Sequence, residues 1–182
     1  MCTERRTEGK TSMERVSKGR RTKEKLARAL EELLETRPLD RIRVHDLTDR
    51  CDIHRQTFYY HFADVYALFT WTVGETGAVL AERLAGEPGR RAALEALLRA
   101  VPPRRGWFLA VLNEAPPEVR RPFFDALLAP VVRDAGGGGE GVAEILLSLL
   151  EKWIRDGCGP APEGMAVLLE QAAGAVEYSR YS

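Results

Sequence analysis

Apolar residues in the first third of the chain recur at helical spacing and stop at clear punctuation. From Thr22 to Arg37, Leu26, Leu30, Leu33 and Leu34 fall on one stripe, which predicts an amphipathic helix ended by Pro38. Val44, Leu47 and Cys51 follow at i, i+3, i+7 and predict a short second helix. Asp52-Ile53 then forms a tight turn, since Asp tolerates a left-handed backbone and Ile fills the space between two helices. A third helix starts near His54, with Phe58 and Phe62 facing inward as an i, i+4 pair. Arg55, Gln56, Thr57, Tyr59, Tyr60 and His61 are left to point elsewhere. Residues 22–62 thus form a three-helix domain too small to be comfortable without further packing.

Beyond Phe62 the chain is divided by breakers at Gly86-Glu87-Pro88-Gly89, Pro102-Pro103, Pro116-Pro117, Gly136 to Gly139 and Gly157 to Pro162. The intervening segments predict helices near 64–85, 90–100, 104–113, 117–133, 141–156 and 162–178, nine in all with the first three. No strand-like alternation and no internal repeat occurs, so the fold class is all-α. The tetraglycine is expected to be a mobile loop. One of the last two helices carries Val142, Ile145, Leu146, Leu149, Leu150 and Trp153, the other Met165, Leu168, Leu169, Ala172, Ala173 and Val176. These faces are broad enough to be buried against both the body and a second subunit, although they can also simply cap one monomer's core.

Composition adds one asymmetry. The chain has 182 residues, 45% of them apolar, which suits one or two small domains with a core, and its net charge is zero. Residues 1–62 hold 15 Lys/Arg against 11 Asp/Glu, and residues 63–182 hold 12 against 16. The excess is sharpest in residues 1–28, with 10 Lys/Arg and 4 Asp/Glu. Residues 1–21 lack hydrophobic periodicity and are expected to be a flexible basic arm. Such an arm either tracks phosphates or is a solvated tail.

The outer face of the third helix bears the chemistry. Arg and Gln have forked donors and acceptors that match guanine and adenine edges in the major groove, and Thr, Tyr and His donate to phosphate oxygens. An ordinary helical hairpin with core aromatics is the competing explanation. It leaves two Tyr, a His, an Arg and a Gln unused, because Phe58 and Phe62 already satisfy the core.

The stretch RQTFYYHF, preceded by a helix and the turn CDI, resembles the recognition helix of the TetR/AcrR family of bacterial transcriptional regulators. Asp64-Val65-Tyr66-Ala67-Leu68 with Trp71 is similar to the branch that contains the dihydroxyacetone kinase regulators. The specific match spans residues 23–71, about a quarter of the chain. The resemblance implies base-edge contacts from Arg55, Gln56 and Tyr60 with His45 nearby, and phosphate contacts from Thr57, Tyr59 and His61. Three positions depart from the family pattern. Arg43 stands where a helix-capping Thr is usual, Asp52 where Gly is usual, and Val65 where a phosphate-binding Lys is usual. Each substitution weakens or redirects DNA binding, and Arg43 can compensate as a phosphate contact.

The resemblance further implies a homodimer on a palindromic double-stranded operator, since two-fold reading needs two recognition helices about one DNA turn apart. Leu146, Leu149, Trp153, Leu168, Leu169 and Ala172 would form the four-helix interface. Residues 63–182 would bind a small-molecule effector in a pocket lined by Tyr66, Phe69, Trp71, Trp107, Phe108, Val111, Phe123 and Phe124, with Asn113 and Glu114 as polar contacts. Aromatics at that spacing are also what a plain core looks like. The implied action is that of a ligand-responsive repressor, whose effector changes the spacing of the reading heads through helix 64–85. Activation, or loss of DNA binding in favour of a protein partner, are the alternatives.

Catalysis finds little footing. All three histidines, His45, His54 and His61, lie in the helix-turn-helix, which leaves residues 63–182 without His for acid–base work or metal ligation. Cys2, Cys51 and Cys158 have no metal-ligand spacing, and no disulfide framework, metal or cofactor is expected. There is no apolar core of a secretion signal and no run of 18 apolar residues, so a cytoplasmic protein away from the membrane is expected.

Overall fold

The computed structural model describes the backbone of residues 4–132 and 139–179, and the side chains of 18–132 and 141–174. Cys2 and most of the tetraglycine lie outside the described residues, as does the side chain of Val176. Among the described residues there are nine α-helices and no strand. They are α1 (Glu4–Leu34), α2 (Val44–Cys51), α3 (Arg55–His61), α4 (Val65–Ala85), α5 (Arg90–Ala100), α6 (Arg105–Glu114), α7 (Pro117–Val132), α8 (Gly139–Arg155) and α9 (Pro162–Ser179). None is long and apolar enough to cross a membrane. The chain divides into two units, residues 1–69 and 70–182.

In the first unit α1 packs on α2 and α2 on α3. Leu26, Leu30, Leu33 and Leu34 of α1 are buried, as the leucine stripe predicts, together with Leu47, Cys51 and Phe58. The helix differs from expectation at both ends. It stops at Leu34, where Thr36 and Arg37 donate backbone N–H groups back to the Leu33 carbonyl at 3.1 Å. A 3-10 turn, Leu39–Arg41, then delivers Leu39 and Ile42 into the core, two residues that periodicity did not assign. At the other end the backbone is helical back to Glu4, well before Thr22, where the apolar stripe places the start. No proline interrupts this stretch before Pro38, and Glu, Arg, Lys and Met are good helix formers. The pair Arg20 Nε–Glu24 Oε1 at 3.0 Å supports the turn next to the leucine stripe.

The second unit packs α5 against α7 and α9, and α8 against α6, α7 and α9. Leu94, Leu97 and Leu98 of α5, Trp107 and Phe108 of α6, and Phe123, Phe124, Leu127 and Leu128 of α7 fill its core. Arginines close helix ends here. Arg105 donates to the Ile154 and Arg155 carbonyls at 2.7 and 2.8 Å, and Arg120 donates to the Leu112 carbonyl at 2.9 Å. Both satisfy last-turn carbonyls that have no partner inside their helix. After α8 the chain turns through Gly157 and Cys158, both at positive φ, and Cys158 N–H donates to the Trp153 carbonyl at 2.8 Å.

Candidate nucleic-acid interface

The turn between α2 and α3 has the conformation its sequence suggests. Asp52 sits in the left-handed region at φ 49°, ψ 55°, and Ile53 N–H donates to the Thr48 carbonyl at 3.0 Å. At the other end of α2, Arg43 has no side-chain acceptor for the orphan N–H groups of the first turn. The cap is supplied from the opposite direction, as Asp46 at the third helical position accepts the Arg43 backbone N–H at 2.7 Å. That hydrogen bond, more than the nearby Arg37 and His45, holds the Asp46 carboxyl below its ordinary pKa. The Arg43 guanidinium turns back to donate to the Asp40 carbonyl at 3.0 Å. Lys25 of α1 donates to the carbonyl of Cys51, the last residue of α2.

On α3 the inward pair is as predicted, with Phe58 and Phe62 buried and their ring centroids 6.0 Å apart. At 100° per residue, Arg55, Tyr59, Gln56 and Tyr60 then follow one another around a single outer arc. All four are exposed, Tyr59 to 57% and Tyr60 to 84%. Thr57 and His61 flank the arc and are half-buried. Burial and then the Lys23 ammonium lower the His61 pKa, so a neutral imidazole with one N–H donor is favoured at neutral pH. Lys23 Nζ itself lies 5.5 Å from the centre of the Phe62 ring.

The structure therefore brings Arg55, Gln56, Tyr59 and Tyr60 onto one surface with Thr57 and His61 at its margin. Arg43 and His45 belong to the start of α2, where the Arg43 guanidinium meets the Asp40 carbonyl and the His45 ring meets the Asp46 carboxylate. Val65 is buried, so its position presents no side chain to a phosphate. Asp64 caps α4 by accepting the Ala67 N–H at 2.7 Å. Sequence reasoning overlooked Asp46, whose signal was an acidic residue three positions after the cap.

The aromatic pocket expected in the second unit is resolved differently. Trp107 packs edge-on against Phe108 and Phe123, and Phe108 lies tilted against Phe123, with centroids 5.1–6.1 Å apart, and Val111 of α6 is buried as well. They are buried in the core, and from it Trp107 and Phe108 border one cleft of this unit and Phe123 another. Tyr66 is 48% exposed and Trp71 half-buried, and neither lines a described cleft. Asn113 is exposed and accepts from Arg155 at 2.8 Å. Two clefts do occur in this unit. One of about 400 Å³ lies between α4, α5 and α6, and the other, of about 420 Å³, runs along Gly74, Gly77 and Ala78 of α4 and Val119 and Pro122 of α7.

The expected interface set also divides. Leu146, Trp153 and Leu169 are buried inside the unit, and Trp153 Nε1 donates to the Pro160 carbonyl at 2.8 Å. Leu149 and Ala172 are half-buried. Leu168, at 49% exposure, Ile145 and Val167 are the large apolar side chains that α8 and α9 leave exposed among the described residues.

No family model and no curated protein matches the sequence. Among solved structures the chain is similar to the dihydroxyacetone kinase operon activator DhaS, with a TM-score of 0.61 and 18% sequence identity over 87% of this chain and 95% of that one. The likeness is one of fold, and this chain shares the all-helical architecture of that operon activator.

Proposed function

We propose that the chain is a sequence-specific DNA-binding transcription regulator of the TetR/AcrR type, acting as a homodimer on a palindromic operator under the control of a small-molecule effector. The observation that carries this reading is the outer arc of α3. Phe58 and Phe62 satisfy the core, and the exposed side chains left over are an Arg, a Gln and two Tyr, which are groove- and phosphate-contacting types. The left-handed turn at Asp52 and the likeness in fold to an operon activator support it.

In this reading Arg55, Gln56 and Tyr60 meet base edges, and Thr57, Tyr59 and His61 meet phosphates. Arg43 and His45 add contacts from α2. The effector binds within residues 63–182 and relieves repression by changing the separation of the two heads, with α4 as the lever. A second reading, activation in place of repression, is favoured by the likeness in fold to an operon activator.

Fluorescence anisotropy of the purified protein on the duplex upstream of its own gene tests the proposal, with random competitor at two salt concentrations. Specific binding that weakens steeply with salt and is lost in Arg55→Ala is the expected result. Absence of any preference over random DNA at either salt, for that duplex and for a selected pool of duplexes, would point to a protein partner instead.

A further inference from the structure

The 400 Å³ cleft of the second unit exists because one face of α5 is built from alanine. Leu94, Leu97 and Leu98 turn into the core, while Ala92, Ala96 and Ala100 form an i, i+4, i+8 row along the cleft. A single methyl group at each position does not reach Leu80 of α4 or Trp107 and Phe108 of α6 on the facing walls, and the space between stays open. The floor is therefore apolar.

The rim is charged, and unevenly so. Arg83, Arg99 and Arg104 line it against Glu87 and Glu95. Glu95 is already committed, accepting from Arg91 Nε at 3.0 Å and from Arg99 Nη2 at 2.8 Å. Arg83, in the last turn of α4, pairs with no carboxylate among the described residues. An arginine fork without a partner beside an apolar floor matches a carboxylate attached to a hydrocarbon body, because guanidinium binds carboxylate through two parallel hydrogen bonds. With Glu95 committed, a cationic ligand meets three arginines against Glu87 alone, and a neutral one leaves Arg83 unused. The volume falls in the range of small-molecule sites, about 300–1,000 Å³.

We propose that this cleft binds a small amphipathic carboxylate, its head on Arg83 and its body between the Ala92–Ala96–Ala100 row and Trp107. We further assign it as the effector site, a step that alone rests on the regulator reading above.

Binding is measured on the full chain without DNA, by calorimetry and tryptophan emission, using octanoate and phenylacetate with octan-1-ol and 2-phenylethanol as neutral counterparts. At least one acid binds saturably, one per chain, and about tenfold tighter than its alcohol. Arg83→Gln raises the Kd about tenfold. Ala96→Leu fills the cleft and abolishes binding while the circular dichroism is unchanged. Trp107→Phe removes the emission change and leaves the calorimetric signal. No acid binding, equal binding of acid and alcohol, or undiminished binding in both Arg83→Gln and Ala96→Leu overturns the site. Should Ala96→Leu fail to fold, Arg83→Gln decides alone. If the acid binds and DNA affinity is unaltered, the effector assignment falls and the ligand site stands. The binding readout does not depend on whether the chain binds DNA.

Discussion

The Asp46 carboxylate accepts the backbone N–H of Arg43 at 2.7 Å, so the residue that opens α2 is capped by a residue inside the helix. Arg37 Nη2 lies 3.2 Å from the other Asp46 oxygen. This arrangement replaces the hydroxyl cap that Arg43 cannot supply and adds a negative charge at the positive end of the helix. The start of α2 thereby depends on Asp46 rather than on the residue at the cap position.

Asp46→Ala is expected to destabilise the chain by about 1 kcal/mol at neutral pH, the usual effect of losing a helix N-terminal cap. The effect is pH-dependent with a definite sign. The folded pKa of Asp46 is depressed, so its contribution is fully present above the unfolded carboxylate pKa of about 4 and is lost as pH falls through the lower, folded value. Urea titrations at pH 7 and pH 3 should show the gap between wild type and variant narrowing at the acid end. A gap that stays constant would mean that the carboxylate is not what stabilises α2.

Gly77 and Gly74, one turn apart on α4, should respond oppositely to alanine. A Cβ at Gly77 would sit 2.7 Å from Phe123 Cδ2, and that ring is held edge-on between Trp107 and Phe124, whereas a Cβ at Gly74 meets nothing within 4 Å. Overpacking costs about 1–3 kcal/mol, which outweighs the gain of about 1 kcal/mol from replacing glycine in a helix. Gly77→Ala should lower the Tm and Gly74→Ala should raise it slightly. Equal shifts in the two variants would show that Phe123 moves aside freely.

How much was legible in the sequence follows from what each signal depends on. Prolines and glycines act locally, so the helices from α4 to α9 began and ended within about two residues of expectation, and Asp52 marked its own left-handed turn. The extension of α1 to Glu4 was hidden because that stretch has no apolar stripe and only backbone propensity forms it. On α3 the division into buried and exposed side chains was legible because two aromatics at i, i+4 account for the core and expose the remainder. In the second unit the same logic reached only part of the arrangement. Trp107, Phe108 and Phe123 pack on one another and also border the two clefts, Trp107 and Phe108 the first and Phe123 the second, and what opens the first cleft opposite them is a row of alanines whose lack of bulk leaves no mark in a single helix.

Under the proposed function, two neighbouring residues of the α3 arc should separate in binding assays. Gln56 carries the bidentate acceptor–donor pattern that matches adenine, so Gln56→Ala should cost about 1–3 kcal/mol on the preferred duplex and little on random DNA. Tyr59→Phe removes only a hydroxyl donor to phosphate and should weaken both duplexes alike. Competition anisotropy on both DNAs distinguishes these patterns. Untouched binding in both variants would remove α3 from the interface.

The proposed dimer makes a prediction that the burial of individual residues sharpens. Trp153 is buried and its indole N–H is bonded to the Pro160 carbonyl, so Trp153→Ala should cost about 3–5 kcal/mol of folding stability and reports nothing about association. Leu168 and Ile145, at 49% and 38% exposure, are the residues a second copy would cover. Leu168→Glu places a charge on that surface without opening a cavity in the core, so the protomer should keep its helical circular dichroism. Sedimentation velocity should then find a dimer for the wild type and a monomer for Leu168→Glu. The monomer should also lose most of its affinity for a palindromic duplex, because each half-site would be held by one head alone. If Leu168→Glu sediments as a dimer, the pairing surface lies away from the outer faces of α8 and α9.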